Sequence, residues 1–461
     1  MNRHLSINFL SLVTIFVLFV GSVSAQEEQQ PALQYIVQPG DTLTIIAQRF
    51  GIPMNDIVNA NNILDRNKLF AGSILEIPGV DWIDGLIDAY EVPIGETFRS
   101  LQRRFFLDSK TLSRLGGLVS PIQVFASYPL LLAFNRGEDL SAGRVAVGGQ
   151  SSIFEIAAFS GLNPWAVVAA NQLSDLMITI PGDVLLLPGT IDPGPGAFPS
   201  PITLQVRGGN FIQGKTVVIE LSIGGEQVQL SGDFLGYPLN FFDNGGGRYV
   251  ALQGVHVMTP PRPYSLTIQG VMQNGTHFNY SQLVGVKNGG YGKESLGIEE
   301  NPEGRHREEI YISNITAITT PEKMWSNIFQ KPVRPGSIIK SDFGMRRSFS
   351  GSPYNYFHSG VDFGWEPGVD ILASAKGIVV FVGELELRGR TTIINHGWGI
   401  YTLYAHQADV FVTVGDIVEP GQLIGHIGKT GSSSSGPHLH WEVWAGGVQV
   451  EPLDWLIEVY P

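Results

Sequence analysis

Short apolar runs broken by turns dominate the chain, and the first clear pattern begins at residue 35. Tyr35-Ile36-Val37 predicts a short strand, and Pro39-Gly40-Asp41 predicts a turn after which Asp41 or Thr42 can cap a helix. Leu43, Ile46, Ala47 and Phe50 share one helical face, a second helix follows near Met54–Asn61, and Ser73–Ile77 closes with a strand. Shifting the sequence by 55 positions brings Val92, Gly95, Thr97, Phe98 and Leu101 onto Val37, Gly40, Thr42, Leu43 and Ile46, with Glu96 for Asp41. A shift of 110 aligns Val147, Ile153, Ile156, Ala157, Gly161 and Asn171, and sets Leu187-Pro188-Gly189 opposite Ile77-Pro78-Gly79. Such an unbroken register marks an internal repeat, with units at 33–79, 88–134 and 143–190.

The first unit, in order β-α-α-β with Pro39-Gly40-Asp41-Thr42-Leu43 and then Asn59, Asn61 and Asn62, resembles a lysin motif (LysM). That resemblance implies binding of glycans containing N-acetylglucosamine, with Gly40, Asp41, Thr42, Asn62, Ile63 and Leu64 as loop candidates. The second, degenerate unit has Gly116-Gly117 where the first has Asn61-Asn62, and the third has Gln150-Ser151-Ser152 in place of Gly40-Asp41-Thr42. Both keep the apolar skeleton and lose part of the polar loop set, so a spacer and a binding module stay equally open for them.

Residues 191–200 read as a linker. Alternating segments follow over 201–288, at Thr203–Arg207, Thr216–Ser222, Gln227–Leu230, Tyr249–Leu252 and Ser265–Val271, and predict an immunoglobulin-like β-sandwich. His256 and His277 lack a second ligand pattern and read as surface or strand-edge residues. Residues 289–331 are a charged connector in which Pro321-Glu322 starts a short helix through Phe329, and His306 is solvated.

Composition narrows the function. The chain has 56 glycines and 28 prolines among 461 residues with 43% hydrophobic residues, which fits many short strands. A formal charge of −13 argues against general nucleic-acid binding and adhesion to an anionic membrane. Arg3 and His4 precede an apolar run from Phe9 to Val20, and Val23-Ser24-Ala25 offers a cleavage site. Residues 1–25 therefore read as an export signal, cleaved rather than kept as an anchor, which places the mature chain in the cell envelope or outside the cell with no membrane span. With no cysteine, a metal must be held by His, Asp or Glu.

Six of the ten histidines lie between 358 and 440. His438-Leu439-His440 sits in an alternating segment, so both rings face one side of a strand about 7 Å apart; one can ligate a metal while the other faces substrate. In His358-Ser359-Gly360-Val361-Asp362 a straight strand would separate His358 and Asp362 by roughly 13 Å. Gly360 offers a bend that brings them together. With one ligand from the other element this gives three protein donors and an open position, the arrangement of a catalytic zinc. His406, after the alternating Tyr401–Ala405, can stand beside a metal-bound water; His396 and His426 read as structural.

These segments, together with Ser341–Arg346, Ala375–Val379, Ile394–His406, Val414–Val418, Gly421–Gly425 and Gly436–His440, resemble the lysostaphin-type zinc metallopeptidases that cleave peptidoglycan. The resemblance implies a mainly antiparallel β domain over 332–461, one Zn²⁺ held by His358, Asp362 and His440, and His406 and His438 as catalytic residues. Peptidoglycan, both glycan and peptide, is the implied partner. Two departures stand out: the Thr430–Gly436 loop is a residue longer and more flexible than the family's turn, and Tyr354 and Tyr356 both compete for a transition-state tyrosine. A non-catalytic cell-wall-binding protein or an activator of another hydrolase is the competing reading, although none of the five family positions is lost. A biotin- or lipoyl-carrier fold is discounted because Lys429, followed by Thr430-Gly431, lacks the tight hairpin it needs.

Overall fold

A computed structural model describes residues 33–461, apart from 121–122, 135–141, 148–151, 178, 181–182, 191–201, 208–210, 225–226, 274, 276, 298–300, 365 and 435. The export signal and the 191–200 linker lie outside the described residues. Among those described, no single helix is long and apolar enough to cross a membrane.

All three repeats have two strands around two helices. Their helices are α1 (Leu43–Phe50), α2 (Met54–Ala60), α3 (Phe98–Arg104), α4 (Ser109–Gly116), α5 (Ile153–Phe159) and α6 (Pro164–Ala170). The first helix of each unit starts 55 residues after its predecessor, capped by the side chains of Thr42, Thr97 and Ser152. These caps satisfy amide groups that the first turn leaves unpaired. The units are not independent. Leu33–Ile36 pairs in parallel with Leu86–Glu91, fusing units one and two into a single four-stranded sheet. Between units two and three, buried Glu96 binds Arg104 at 2.9 Å and Arg144 at 3.6 Å, and Arg103 binds Asp183 at 2.7 Å.

The middle region is two antiparallel-rich sheets, one of five strands and one of four, closed on a core that includes Leu204, Ile219, Leu221, Phe234, Leu266, Ile268 and Val284. In the four-stranded sheet, Thr216–Ile223 is a nearly continuous apolar run, which signals burial on both faces. Its outer face supplies Val218, Val250 and Leu252 to the core of the C-terminal region. Gly254 permits this docking, since a Cβ there would lie 2.8 Å from Val450 and 2.9 Å from Val448. The His277–Lys287 strand is absent from the sequence reading because its polar Asn279, Ser281 and Gln282 mask the alternation.

The C-terminal region is built on an eight-stranded sheet whose strands pair antiparallel. Its central strand, His438–Ala445, is buried at every residue and lies between Val361–Gly364 and Ile400–Ala405.

The connector differs from its expected form. Pro321–Phe329 is not a helix: its backbone bonds outward, from Met324 to His396 and from Phe329 to Trp455, while Trp325 and Phe329 pack on Trp455. The helix is α7 (Pro302–Thr316), capped by Asn301 and started by its proline. Its buried stripe of Gly304, Glu308, Ile312 and Thr316 repeats every four residues but is largely polar, so no apolar period announces it. Glu308 reaches Arg388 at 2.9 Å and accepts from the amide of Leu387 at 2.8 Å, with both charged side chains buried.

Two predictions follow from these contacts. Glu308→Ala strips a carboxylate from a buried cation and should cost about 3–5 kcal/mol in chemical denaturation, whereas Glu303→Ala, whose side chain is 91% exposed, should cost almost nothing. Equal stability of the two variants would refute the role given to Glu308. At the join with the middle region, burial raises the Glu451 carboxyl to about 7, with Asp454 and Asp342 adding to it against Lys215. A raised carboxyl contributes stability that is full below its unfolded pKa and lost as pH rises through the folded value. Glu451→Gln should therefore melt higher than the parent at pH 8 and level with it at pH 4; parallel melting curves across that range would refute this.

Candidate metal centre

The site begins with strand register. Asp362 stands opposite His440 on one side, and Ala405, the residue before His406, stands opposite His440 on the other. His358 ends the segment after the Tyr356–Phe357 strand, and the chain turns at Ser359-Gly360 before Val361–Gly364. Gly360 is needed for space: a Cβ there would sit 2.4 Å from the Trp441 carbonyl oxygen and 2.9 Å from the His440 ring. The bend brings His358 Nε2 to 3.0 Å from Asp362 Oδ1, while His440 Nδ1 lies 2.8 Å from the same oxygen and 3.1 Å from His358 Nε2.

The outer hydrogen bonds decide which atoms face inward. His358 Nδ1–H donates to the Asp342 carbonyl at 2.8 Å, and His440 Nε2–H donates to Glu442 at 2.9 Å. Two nitrogen lone pairs and a carboxylate oxygen are then left pointing at one another, an arrangement that calls for a cation. Their donor atoms all lie within 4.8 Å. Burial pushes His358 down. At Asp362 burial opposes the charge, yet His358 and His440 hold the carboxyl well below its usual range. At His440 burial is outweighed by Asp362 and Glu442, so the cluster draws positive charge. Nitrogen and oxygen donors of this kind suit Zn²⁺, and three of them leave a position open.

His406 and His438 stand beside this cluster with ring centroids 4.6 Å apart. His406 donates from Nδ1 to the Thr430 carbonyl at 2.7 Å, and His438 donates from Nδ1 to the Gly436 carbonyl at 2.7 Å. Each therefore keeps its lone pair on Nε2, and His438 Nε2 is 3.7 Å from Asp362. Burial, followed by the neighbouring His440 and His438, lowers His406 to about 3; burial also lowers His438. His406 has φ +61, a conformation that side-chain-bearing residues adopt at a cost and that surrounding structure must enforce. Ser432 and Ser433 bond through backbone and hydroxyl groups to the Glu386 and Leu387 carbonyls.

Several contributors escape a search for ligand motifs. Glu442, fully buried, binds Arg388, and Arg388 is held in turn by Glu308 and Glu309 of α7. A chain of alternating charges thus runs from the connector to His440. The spacing His-x-Glu after His438-Leu439 was the available signal for Glu442; α7 gave none. Arg305 and Arg347 line the cleft, and neither tyrosine candidate does. Tyr354 is exposed beneath Lys293, and Tyr356 lies under Arg305. His396 is a buried core residue bonded to Lys376 and Thr402, and His426 pairs with Asp409 and Asp370. His256 is half-buried just beyond the Arg248–Gly254 strand, its ring edge-on to Phe357 at 5.0 Å.

In the first repeat, Gly40, Thr42, Asn62 and Leu64 are exposed and Ile63 packs partly on the module core. Asp41 turns inward, bonding Tyr35, Arg49 and the Gln38 amide. The matching loop of the second repeat is covered, with Gly95 and Glu96 bonded to Gln282 of the middle region. The third exposes Phe159, Trp165 and Met177.

Residues 356–452 match Peptidase family M23, and residues 35–78 match the LysM domain. The chain is 38% identical over 96 residues to the DD-carboxypeptidase/endopeptidase Mpg of Neisseria meningitidis, covering 21% of this chain and 22% of that protein. It is 34% identical over 126 residues to the peptidoglycan DD-endopeptidase ShyA of Vibrio cholerae, covering 27% and 29%. The chain thus spans less than a third of the length of these curated relatives. Among solved structures, the catalytic domain of lysostaphin from Staphylococcus simulans aligns at 25% identity and a TM-score of 0.21, over 30% of this chain and 92% of that one. The chain therefore carries a Peptidase family M23 domain within residues 356–452 and a LysM domain within residues 35–78.

Proposed function

We propose that this chain is a zinc-dependent endopeptidase that hydrolyses peptide bonds in peptidoglycan cross-links or stem peptides. The observation that carries the reading is the convergence of His358 Nε2, Asp362 Oδ1 and His440 Nδ1 within about 3 Å of one another. These three residues would hold one Zn²⁺. When bound, the ion supplies Lewis-acid chemistry, acidifying a water and polarising the scissile carbonyl. His406 and His438 are the catalytic pair: with Nδ1 fixed on carbonyls, Nε2 of each is free to take a proton or return it to the leaving amine. Arg347, on the cleft wall and fixed by Glu294 at 3.1 Å, offers a charge toward a developing oxyanion.

The remaining parts serve this site. The exported chain would work in the cell envelope or outside the cell. Its first LysM would hold it on N-acetylglucosamine-containing glycan through Gly40, Thr42, Asn62, Ile63 and Leu64, while Asp41 shapes the loop. The middle region, read as an immunoglobulin-like sandwich, is a platform locked to the peptidase domain by its apolar outer face.

His440→Ala should lose zinc in metal analysis, whereas His438→Ala should keep zinc and lose turnover. Mass spectrometry of muropeptides released from cell walls reads the activity, and a chelator should abolish it in the parent. Undiminished release in either variant, or in the presence of chelator, would sink the assignment; chelator-insensitive wall binding without release would favour the non-catalytic alternative.

A further inference from the structure

The left-handed backbone of His406 has to be held from outside, and two neighbouring stretches of chain hold it. The first is the hairpin turn between Gly377–Leu385 and Gly389–Gly397. Its Arg388 carbonyl accepts from the His406 amide at 2.9 Å. Helix α7 anchors this turn, since Glu308 accepts from the amides of Leu387 at 2.8 Å and Arg388 at 3.3 Å. The second is the stretch around Thr430, whose carbonyl accepts from His406 Nδ1 at 2.7 Å. Backbone and ring of His406 are thus held by different segments. Only a fixed spacing between those segments gives the ring one orientation.

Thr430 sets that spacing. Its hydroxyl accepts from the Arg390 amide at 2.9 Å and donates to the Gln407 carbonyl at 3.0 Å. A hydroxyl can do both at once, because it carries one hydrogen and two lone pairs. One oxygen therefore ties together the hairpin, the residue after His406 and its own loop. The far end of the tie is itself fixed: Gln407 is fully buried, and Thr392 donates to its side-chain oxygen at 2.8 Å. The two segments cross closely enough here to exclude any side chain on either. A Cβ on Gly389 would lie 2.3 Å from the Thr430 carbonyl carbon, and one on Gly431 would lie 2.3 Å from the Leu387 carbonyl oxygen. Their φ values of +64 and +87 are ones that glycine adopts freely. Thr430 is not among the residues lining the cleft, so whatever it does for the chemistry passes through His406.

We infer that Thr430 is a positioning residue for His406: by tying Arg390 to Gln407 through its hydroxyl, it aims its own carbonyl at His406 Nδ1 and so fixes where Nε2 points. The inference takes the catalytic role of His406 from the endopeptidase reading, and the test separates the two. NMR on the full-length, zinc-loaded chain, isotope-labelled at its ten histidines, reads the ring directly. A His406 Nδ1–H held on a carbonyl exchanges slowly with water and gives a resolved signal, assigned by its loss in His406→Ala. That signal should be present in the parent and in Thr430→Ser, and lost in Thr430→Val, which keeps the shape and removes the hydroxyl. Turnover should follow the signal. In Thr430→Val, kcat for muropeptide release should fall by about tenfold to a hundredfold while KM and zinc content match the parent, and Thr430→Ser should restore most of it. Thr430→Ala, which removes the same hydroxyl without added bulk, is measured instead if the valine variant does not fold. A parent-like His406 signal without the hydroxyl, an equal loss in Thr430→Ser, or zinc lost together with turnover would overturn the role. Absence of cleavage by the parent chain would count against the endopeptidase reading, and the NMR comparison would still decide whether Thr430 orients His406.

Discussion

The pairing of His438–Ala445 with a strand on each side is the constraint on which the rest of the molecule depends. His440 faces Asp362 across one ladder and Ala405 across the other. Because side chains alternate with a period of two, a one-residue slip in either ladder would turn His440 or its neighbours to the other face. Burial of all eight residues of the central strand makes such a slip costly, since Leu439, Trp441 and Val443 would leave the core with it. Register here is therefore set by apolar packing. The cluster of His358, Asp362 and His440 inherits its geometry from residues outside it.

A second layer fixes what register alone leaves loose. His440 can rotate about its side-chain bonds, and Glu442 stops it by accepting from Nε2. A buried Glu442 needs a cation, which is Arg388, and a buried Arg388 needs further acids, which are Glu308 and Glu309 on α7. Each burial creates the requirement for the next partner, because an uncompensated charge in the interior is far more costly than a paired one. The connector is thereby made part of the peptidase unit. The sandwich is bound in the same way, through Lys215 to Asp454 at 2.8 Å and through the face carrying Val218, Val250 and Leu252.

What the sequence made legible follows from this physics. Spacing drew attention to the five histidine and aspartate positions, but the division between ligands and catalytic residues came from the family resemblance; the His358–Asp362 bend followed once both were taken to reach one ion. The repeat helices could be read because Leu43, Phe98 and Ile153 begin the same apolar face after equivalent caps. Helix α7 could not, since its buried stripe carries Glu308 and Thr316 and its partners lie some 80 residues further on. The aromatic segment at Pro321–Phe329 misled for the complementary reason: Trp325 and Phe329 are anchored by distant rings, and tertiary contact overrode a local helix signal. The docking of His256 against Phe357 likewise depends on a partner far along the chain.

The erosion of the repeats can be understood on the same terms. In the first unit the loop carrying Gly40 and Thr42 faces solvent, and its polar character is free to serve a ligand. In the second unit the equivalent Glu96 is buried, satisfied by Ser100, Arg104 and Arg144, and its carbonyl is bonded by Gln282. The ion pair with Arg104 repeats that of Asp41 with Arg49 in the first unit, and Arg144 of the third unit is the partner added to it. The second unit is thus a joint, tied by its strand to the first unit and through Gly95 and Glu96 to the middle region that in turn packs on the C-terminal region.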